Sequence, residues 1–282
     1  MTKQTFKQVL QFESPLQIIG TINAYCAMMA EKTGFRALYL SGAGCANASY
    51  GLPDLGMTSL DNVCEEVRRI TSVTSTPLLV DMDTGWGNEL TVSRAVSQLI
   101  KAGASAAHIE DQVTAKRCGH RDGKKLVEIP EMIARIQAAI AGKTNFDFYL
   151  IARTDAFATE KLSGAIHRAQ QYVKAGADAI FAESVSTLDD YKKFCAEINV
   201  PVLANITEFG KTPLFTTEEL KLTGVKMILY PLSAFRAMNQ AALTVFQAIR
   251  KHGTQQSVID LMQDRKTLYD FLDYERFEKK MD

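Results

Sequence analysis

The sequence predicts an α/β protein on the strength of three observations. Eight short apolar runs recur along the chain, amphipathic segments of helix length separate them, and polar residues collect after the carboxyl end of nearly every run. Short runs that are almost continuously apolar are typical of strands buried on both faces. Strands that alternate with helices pair in parallel through crossover helices. Eight such units favour a closed (β/α)8 barrel, with a doubly wound open sheet as the alternative.

The predicted strands and helices divide most of the chain into similar units. Strands are predicted over Leu16–Ile22, Ala37–Leu40, Pro77–Asp81, Ala106–Glu110, Phe148–Arg153, Ala179–Glu183, Pro201–Asn205 and Val225–Tyr230. Helices are predicted between them, for example over Leu90–Ala102, Pro130–Ala141, Gly164–Ala175 and Leu188–Glu197. A TIM-type barrel therefore accounts for the chain as one domain over residues 1–282, with a C-terminal helical extension over about 232–282.

A repeated design supports this count of units. The segments Lys101–Glu110 and Lys174–Glu183 both begin Lys-Ala-Gly-Ala and continue into a strand that ends on a glutamate. Lysine in a last helical turn followed by glycine is a helix stop signal. Lys221–Tyr230 is a looser third copy. The repeat predicts that helix, tight turn and strand follow one another in the same way around the barrel.

The C-terminal extension contains more helix than a barrel needs. Helices are predicted over Leu232–Lys251, Thr254–Gln263 and Asp264–Phe277, and the last of these is rich in aromatic residues. One helix closes a (β/α)8 barrel, so the surplus must cover another surface. Packing against another subunit and packing under the chain's own barrel are equally consistent with the pattern.

Charge and cysteine usage exclude several classes of partner. The sequence carries 32 basic and 32 acidic residues, a balance that gives no support to a nucleic-acid or anionic-membrane partner. Five scattered cysteines form neither a disulfide framework nor a zinc motif, so a reducing cytoplasm is the predicted compartment. No apolar run approaches the length of a membrane span, and the amino-terminal stretch lacks the apolar centre of a signal peptide.

Polar residues follow the carboxyl ends of the predicted strands, whereas the amino-terminal ends begin with residues such as Leu16, Ala37 and Ala106. In a barrel the carboxyl ends meet at one mouth, where active sites of this fold are built. The polar residues predicted at that mouth are Ser41, Asp81, Asp83, Glu110, Asp111, Arg153, Asp155, Glu183, Asn205, Thr207 and Ser233.

Two aspartates after the third strand are predicted metal ligands. Asp81 and Asp83 stand two positions apart, and the glycine-rich turn that begins at Asp83 allows both carboxylates to face the mouth. Hard oxygen donors without a soft ligand nearby suit Mg²⁺, or Mn²⁺, rather than zinc. Glu110 and Glu183 on neighbouring strands add acidic groups to the same mouth. The alternative is that the two aspartates only cap the next helix.

Cationic groups at the same mouth predict an anionic substrate. Arg153 follows the fifth strand, the basic loop 116–125 follows the fourth, and Arg236 follows the eighth. Guanidinium groups and lysines around a divalent cation match a small polyanion, either a polycarboxylate or a phosphorylated acid. The segment Ser41–Gly44 is interpreted as a loop whose backbone N–H groups face a carboxylate.

The loop that begins at Lys116 contains a cysteine among basic residues and glycines. Neighbouring positive charge favours a thiolate, and glycine allows a loop to move, so Cys118 is predicted to be reactive. The alternative is an inert thiol that fills space as a small apolar side chain. With the metal and the cations, a reactive Cys118 indicates a reaction through a carboxylate-stabilised carbanion, in which Cys118 delivers or removes a proton. The pattern leaves cleavage and rearrangement open.

Several motifs resemble a known family. The runs Val80–Asp83, His108–Gln112 and Lys116–His120 resemble the isocitrate lyase/phosphoenolpyruvate mutase superfamily. Phosphoenolpyruvate mutases and oxaloacetate decarboxylases share the barrel and the metal site but lack the Lys-Arg-Cys-Gly-His pattern of the loop. Nearly the whole chain is similar to the 2-methylisocitrate lyase family within that superfamily, through Asn23–Cys26, Gly51–Asp54, Leu203–Gly210, Tyr230–Arg236 and Gly253–Gln255.

The resemblance implies a cytoplasmic enzyme of the methylcitrate cycle, which serves propionate catabolism. It implies Mg²⁺-dependent cleavage of the tricarboxylate (2S,3R)-2-methylisocitrate to pyruvate and succinate. It also implies a homotetramer, a dimer of dimers whose subunits exchange the eighth helix of the barrel. Isocitrate lyase activity is the nearest alternative, because one methyl group separates the substrates, and a non-catalytic metabolite-binding barrel is the other.

The resemblance also assigns residues. It places the metal on Asp81, Asp83 and Glu110, and it implies that Cys118 is the general acid. Tyr39 and Lys116 are candidates for the base, and His120 belongs to the same catalytic group. The family's second glycine after the second strand is replaced by Ala43, whose methyl group is expected to crowd a backbone contact. The substrate-binding residues implied are Ser41, Gly42, Ala43, Asp54, Gly119, Arg153, Glu183, Asn205, Ile206, Thr207, Arg236 and Arg265.

Overall fold

The computed structural model describes residues 4–281, and its eight strands form a closed parallel barrel in chain order. The closure rests on pairing between the first and last strands, from Leu16 opposite Met227 to Ile19 opposite Tyr230. This pairing confirms the barrel over the open sheet. The strands are β1 Leu16–Gly20, β2 Ala37–Leu40, β3 Leu78–Asp81, β4 Ala106–Glu110, β5 Tyr149–Thr154, β6 Ala179–Ala182, β7 Val202–Asn205 and β8 Met227–Tyr230.

Helices alternate with the strands, as predicted. They are α1 Phe6–Phe12, α2 Ala24–Lys32, α3 Gly42–Tyr50, α4 Leu60–Thr71, α5 Glu89–Ala102, α6 Ile129–Ala141, α7 Phe157–Lys174, α8 Leu188–Glu197, α9 Thr217–Leu222, α10 Ser233–His252, α11 Arg265–Leu272 and α12 Tyr274–Glu278, with a 3-10 helix over Gln256–Leu261. The repeated Lys-Ala-Gly signal acts as predicted, because Gly103 and Gly176 have φ angles of 107° and 106°, which favour glycine. Both glycines end the helix that precedes a strand.

Three sequence predictions about local structure are wrong. The helix predicted over Asp264–Phe277 is interrupted at Asp273, whose φ angle of 54° separates α11 from α12. The first strand ends at Gly20 rather than Ile22. At Gly20 the chain lies so close to Pro231, just beyond β8, that a side chain would overlap the backbone oxygen of Pro231. The segment Ser41–Gly44 is not a loop: Ser41 is the N-cap of α3, and its side chain accepts a hydrogen bond from the Gly44 backbone N–H. The first turn of α3 consists of the small residues Gly42, Ala43 and Gly44, so the sequence has no apolar period there from which this short helix could be predicted.

The side-chain alternation of the strands positions the site. Alternate residues point into the barrel, so Leu79 and Ile151 belong to its interior cluster, whereas Val80 and Ala152 belong to the core that includes the surrounding helices. Apart from His108, the interior is filled by the apolar and aromatic side chains of the inner cluster up to the carboxyl ends of the strands. The inward-facing residues at those ends are Asp81, Glu110, Arg153, Glu183 and Asn205, and all five are buried.

The chain divides into two compact units between Leu232 and Ser233. The C-terminal unit contains α10, α11 and α12, and no residue in these three helices is buried. Large apolar side chains on α10, including Leu243, Phe246 and Ile249, are exposed. No described helix has both the length and the apolar character needed to span a membrane.

Candidate active site

Three buried carboxylates at the barrel mouth form a candidate metal centre. Asp81 ends β3, Asp83 lies two residues further on, and Glu110 ends β4; their ligand atoms lie within 4.8 Å of one another. Asp83 has a φ angle of 46°, and this left-handed turn keeps both aspartates at the mouth. Its backbone N–H donates to Asp81 Oδ1 at 3.1 Å, and its carbonyl accepts from the Glu110 N–H at 3.0 Å. The predicted metal ligands are therefore brought together.

The electrostatics of this cluster favour a bound cation. Burial, followed by repulsion from Asp81, raises the pKa of Asp83 to about 6. Burial also raises the pKa of Glu110 well above its ordinary value. Among the residues that the structure describes, Glu110 Oε1 has no hydrogen-bond partner. Three oxygen donors with this repulsion between them are suited to hold a hard divalent metal ion.

The first turn of α3 faces the same carboxylates. The Gly42 backbone N–H donates to Asp81 Oδ2 at 3.0 Å, so the positive end of the helix dipole stabilises the carboxylate. A Cβ atom at Gly42 would lie 3.1 Å from Asp81 Oδ2 and 3.2 Å from Asp83 Oδ1. The backbone N–H groups after β2 were predicted to face a carboxylate. The Gly42 N–H does so, and the carboxylate it contacts is that of Asp81, a residue of the protein itself. Ala43 lies in the same turn.

A tyrosine–histidine pair lies beneath the carboxylates inside the barrel. Tyr39 Oη lies 2.9 Å from His108 Nε2 and 3.3 Å from Asp81 Oδ2. Both rings are buried, and they stack with centroids 5.7 Å apart. Burial lowers the pKa of His108 to about 4, so its ring is neutral near pH 7. Burial and Asp81 raise the pKa of Tyr39, which holds the hydroxyl group in its protonated form.

Lys116 connects the loop 116–125 to the carboxylates. Its Nζ atom lies 2.5 Å from Asp54 Oδ1 and 2.7 Å from Asp83 Oδ1, and the side chain is 6% exposed. Burial alone would lower the pKa of Lys116, but Asp83 and Glu110 raise it above its ordinary value. Lys116 is therefore an ammonium group whose protons are held by two carboxylates. This arrangement makes it a poor proton acceptor.

Cys118 lies in the middle of this loop and is half-buried. The prediction that the nearby cations produce a thiolate is wrong, because burial raises the pKa of Cys118 above its ordinary value. The carboxylates of Asp54 and Glu183 add to this effect, and the backbone bond at His120 and the charge of Arg153 do not outweigh it. The thiol therefore carries its proton near neutral pH. A protonated thiol is the form that a general acid requires.

His120 joins the loop to the strand ends β6 and β7. Its Nδ1 atom accepts a hydrogen bond from the Lys211 backbone N–H at 3.0 Å, which leaves the proton of a neutral ring on Nε2. Nε2 lies 2.9 Å from Glu183 Oε1 and 3.3 Å from Asn205 Nδ2. His120 thus donates to Glu183, whose pKa is well below its ordinary value because Arg153 and His120 outweigh burial.

Arg153 lies between the acidic groups of neighbouring strands. Its Nε and Nη2 atoms bond the two oxygens of Asp155 at 3.0 and 3.1 Å. It also lies 3.5 Å from Glu110 Oε2 and 3.8 Å from Glu183 Oε2, with its guanidinium 5.0 Å from the centre of the Phe181 ring. Gly119 packs against Arg153 so closely that a Cβ there would overlap Nη2.

The remaining predicted substrate-binding residues fall into two groups. Ile206 and Thr207 follow β7, and both are buried. Arg236 lies in α10 and Arg265 begins α11, so both belong to the C-terminal unit, and their roles stay predictions. The barrel unit accounts for every other predicted site residue.

The sequence interpretation missed residues that hold the site together. His108 and Glu110 lie two positions apart in β4, so both point into the barrel. A polar side chain at an inward-facing strand position could have identified His108 as a site residue from the sequence. Gln112 pairs with both backbone groups of Arg117, at 2.9 and 3.0 Å, and so fixes the start of the loop. Lys124 and Ser184 donate hydrogen bonds to the Gly119 carbonyl, and neither contact could be predicted from the sequence pattern.

Comparison with known proteins gives one family throughout. The family model described as phosphoenolpyruvate phosphomutase matches residues 6–250. The 2-methylisocitrate lyase of Shewanella oneidensis is 55% identical over 277 residues, which cover 98% of this chain and 95% of the relative. That of Escherichia coli K12 is 55% identical over 280 residues, covering 99% and 95%.

A solved structure agrees at the level of the fold. A crystal structure of 2,3-dimethylmalate lyase, described as a PEP mutase/isocitrate lyase superfamily member, superposes with a TM-score of 0.89 at 30% identity and covers 97% of this chain and 92% of that one. The resemblance drawn from the motifs is confirmed by these matches. The chain therefore belongs to the isocitrate lyase/phosphoenolpyruvate mutase superfamily and, within it, to the 2-methylisocitrate lyase family.

Proposed function

We propose that this chain is a carbon–carbon lyase that cleaves (2S,3R)-2-methylisocitrate to pyruvate and succinate. The observation that carries the proposal is the buried Asp81, Asp83 and Glu110 cluster with a protonated Cys118 in the adjoining loop. Full-length identity of 55% to 2-methylisocitrate lyases supports the choice of substrate. The proposal places the chain in the methylcitrate cycle of propionate breakdown.

The proposed cofactor is Mg²⁺, with Mn²⁺ as a substitute. Asp81, Asp83 and Glu110 would hold it, because they offer only hard oxygen donors. When bound, Mg²⁺ supplies positive charge that stabilises negative charge developing on substrate oxygens. Gly42 would keep Asp81 in place through its backbone N–H bond, and Lys116 would do the same for Asp83.

The proposed reaction is a retro-aldol cleavage. A base removes the proton of the substrate hydroxyl group, the carbonyl of pyruvate forms, and the electron pair of the broken carbon–carbon bond moves to the succinate carbon. Cys118 then donates its proton to that carbon, so no water or redox partner is needed. With its proton on Nε2, His120 would donate a hydrogen bond to Glu183 and so orient this carboxylate while the loop is closed.

Tyr39 is the better of the two candidate bases. Its hydroxyl group is protonated, so Tyr39 would pass its own proton to a neighbour as it takes up the proton of the substrate; Asp81 Oδ2 at 3.3 Å and His108 Nε2 at 2.9 Å are the acceptors within reach. Lys116 already donates to Asp54 and Asp83 and has no free electron pair. We therefore assign Lys116 to holding Asp54 and Asp83, with Tyr39 as the base.

The substrate carries three carboxylates, and the barrel unit offers cations for them. Arg153, with backbone groups of Ser41, Gly42 and Ala43, is proposed to bind the pyruvate-side carboxylate. The other proposed contacts are Asp54, Gly119, Glu183, Asn205, Ile206, Thr207, Arg236 and Arg265.

Two product assays test the function. With Mg²⁺, the purified protein is expected to release pyruvate from 2-methylisocitrate faster than glyoxylate from isocitrate. A pocket discriminates one methyl-sized difference by about 1–3 kcal/mol, so slow isocitrate cleavage is compatible with the proposal. The reverse order of rates would assign isocitrate as the substrate, and no turnover of either would favour a non-catalytic barrel.

The proposed assembly is a homotetramer of helix-swapped dimers in the cytoplasm. Helix α10 buries none of its side chains, which supports a partner subunit over it. The free state of all five cysteines supports a reducing compartment. Size-exclusion chromatography with light scattering of the purified protein tests the assembly, and a stable monomer at micromolar concentration would contradict it.

A further inference from the structure

Lys124 is a buried lysine of the loop that the proposed reaction does not use. Its side chain is 1% exposed, and its Nζ atom bonds Asp155 Oδ1 at 2.8 Å and the carbonyl of Gly119. Burying an ammonium group is costly unless it is paired and hydrogen-bonded. Asp155 belongs to the barrel, so it offsets that cost only while the loop lies against the barrel, and its ion pair with Lys124 therefore favours the closed position.

Both partners of Lys124 are parts of the proposed site. Gly119 directly follows Cys118, and its carbonyl also accepts a hydrogen bond from Ser184 Oγ at 2.9 Å. Two donors on one carbonyl fix the orientation of the peptide unit after the cysteine. Asp155 is fully buried and binds Arg153 through both oxygens, so one carboxylate holds the strand cation and the loop cation together.

Hydrogen bonds to Asp111 fix the position of Asp155 in the barrel. Its backbone N–H donates to Asp111 Oδ1 at 2.9 Å, and Asp111 Oδ2 accepts from Thr154 Oγ1 at 2.8 Å and from Tyr172 Oη at 2.9 Å. These bonds join β4, β5 and α7 beneath the mouth. The anchor for Lys124 is therefore rigid.

We propose that Lys124 is a positioning residue that holds the loop closed and so places the Cys118 thiol over the site. This proposal rests on the function proposed above, in which Cys118 donates a proton to the substrate from the closed loop. It differs from the role of Lys116, which contacts a metal-site carboxylate. Lys124 acts on Cys118 only through the Gly119 carbonyl and Asp155.

The test compares Lys124→Met with Lys125→Met, in which the neighbouring exposed lysine is replaced. The readout is the rate of alkylation of Cys118 by iodoacetamide in the absence of substrate, followed by peptide mass spectrometry with Cys195 as an internal reference. Lys124→Met is expected to raise the Cys118 rate by about tenfold or more, because the alkylation rate follows the population of the open loop. Lys125→Met is expected to leave it unchanged. An unchanged Cys118 rate in folded Lys124→Met would overturn the proposal.

A second variant keeps the test decisive if Lys124→Met does not fold. Ser184→Ala removes the other donor to the Gly119 carbonyl and is expected to raise the Cys118 alkylation rate by a smaller factor. In folded Lys124→Met, kcat for 2-methylisocitrate is expected to fall by about 100-fold with little change in KM, because misplacing a reacting group by about 1 Å has that effect. Alkylation requires no turnover, so it separates failure of this proposal from failure of the proposed substrate.

Discussion

The site is built from two regions that are held in different ways. The strand-borne residues Asp81, Glu110 and Arg153 are positioned by the register of the barrel, which backbone hydrogen bonds fix. The loop-borne residues Cys118 and His120 are positioned by ion pairs and side-chain bonds to that barrel. Binding of the metal ion and the anionic substrate therefore depends on the strand ends, whereas delivery of the proton depends on the loop. Single substitutions should separate these two properties.

The largest expected effect is on proton delivery alone. Cys118→Ser is expected to lower kcat by about 1,000-fold, within the range typical of losing a general acid. Mg²⁺ affinity should not change, because the carboxylates are untouched. Pyruvate release and calorimetric Mg²⁺ titration measure the two quantities, with Cys195→Ser as the matched control. Wild-type turnover in Cys118→Ser would remove the thiol from the chemistry.

Asp83→Asn is the complementary change in the strand-end region. Losing one of three carboxylates is expected to weaken Mg²⁺ binding by about 100-fold or more, since even partners outside the ligand set change affinity by about 10–100-fold. Turnover at low Mg²⁺ should fall in parallel and recover in part at high Mg²⁺. The exposed Asp147→Asn serves as the control. Equal Mg²⁺ affinity in both variants would contradict the metal assignment.

Gly119→Ala breaks the contact between the two regions. The added Cβ would lie 2.3 Å from Arg153 Nη2 and 2.7 Å from Glu183, so the loop cannot reach its observed position. We expect kcat to fall by about 10–100-fold, as misplacement by about 1 Å does. Thermal unfolding should change little, because the barrel is intact. A wild-type kcat would mean that the loop reacts in another position.

The pH dependence of kcat tests the protonation state of the loop thiol. Burial raises the pKa of Cys118, and the protonated form is the proposed donor, so the loss of kcat caused by this thiol should lie on the alkaline side, above the free-thiol pKa of about 8.5. Alkylation of Cys118 should be slower than that of free cysteine at the same pH, because less thiolate is present. Faster alkylation would show a lowered pKa and contradict the assignment.

The smallest effect is expected at the outer edge of the loop. Asp122 pairs with Lys211 at 2.6 Å, but its side chain is 94% exposed, and exposed ion pairs contribute little. Asp122→Asn is expected to change kcat by less than about threefold. A larger loss of kcat, compared with that of Lys124→Met, would mean that the exposed Asp122–Lys211 ion pair holds the loop rather than the Lys124–Asp155 ion pair.

The same division explains what the sequence could predict. The eight strands and the polar residues at their ends followed from short apolar runs and their spacing, since a strand buried on both faces leaves that pattern. Asp81, Asp83 and Glu110 were identified in this way, and the structure brings them together. The roles of the predicted catalytic and substrate-binding residues stay predictions.

Contacts made at a distance along the chain left no such pattern. Lys124 meets a carboxylate 31 positions away, and His120 meets a backbone N–H 91 positions away. The charge state of Cys118 was predicted wrongly because basic neighbours in sequence were weighed without burial, which only the folded barrel supplies. α3 was missed because its small residues carry no apolar period.

The alternation of side chains in β4 limits how this site can change over evolution. Ala107 and Ile109 belong to the core that includes the surrounding helices, while His108 and Glu110 face the barrel interior. Because the alternation has a period of two, deletion of one residue within β4 would move the isoleucine into the acidic cluster and the glutamate into the apolar layer. Replacement of individual residues at fixed positions is therefore the accessible route to a new substrate, and length changes are confined to the loops.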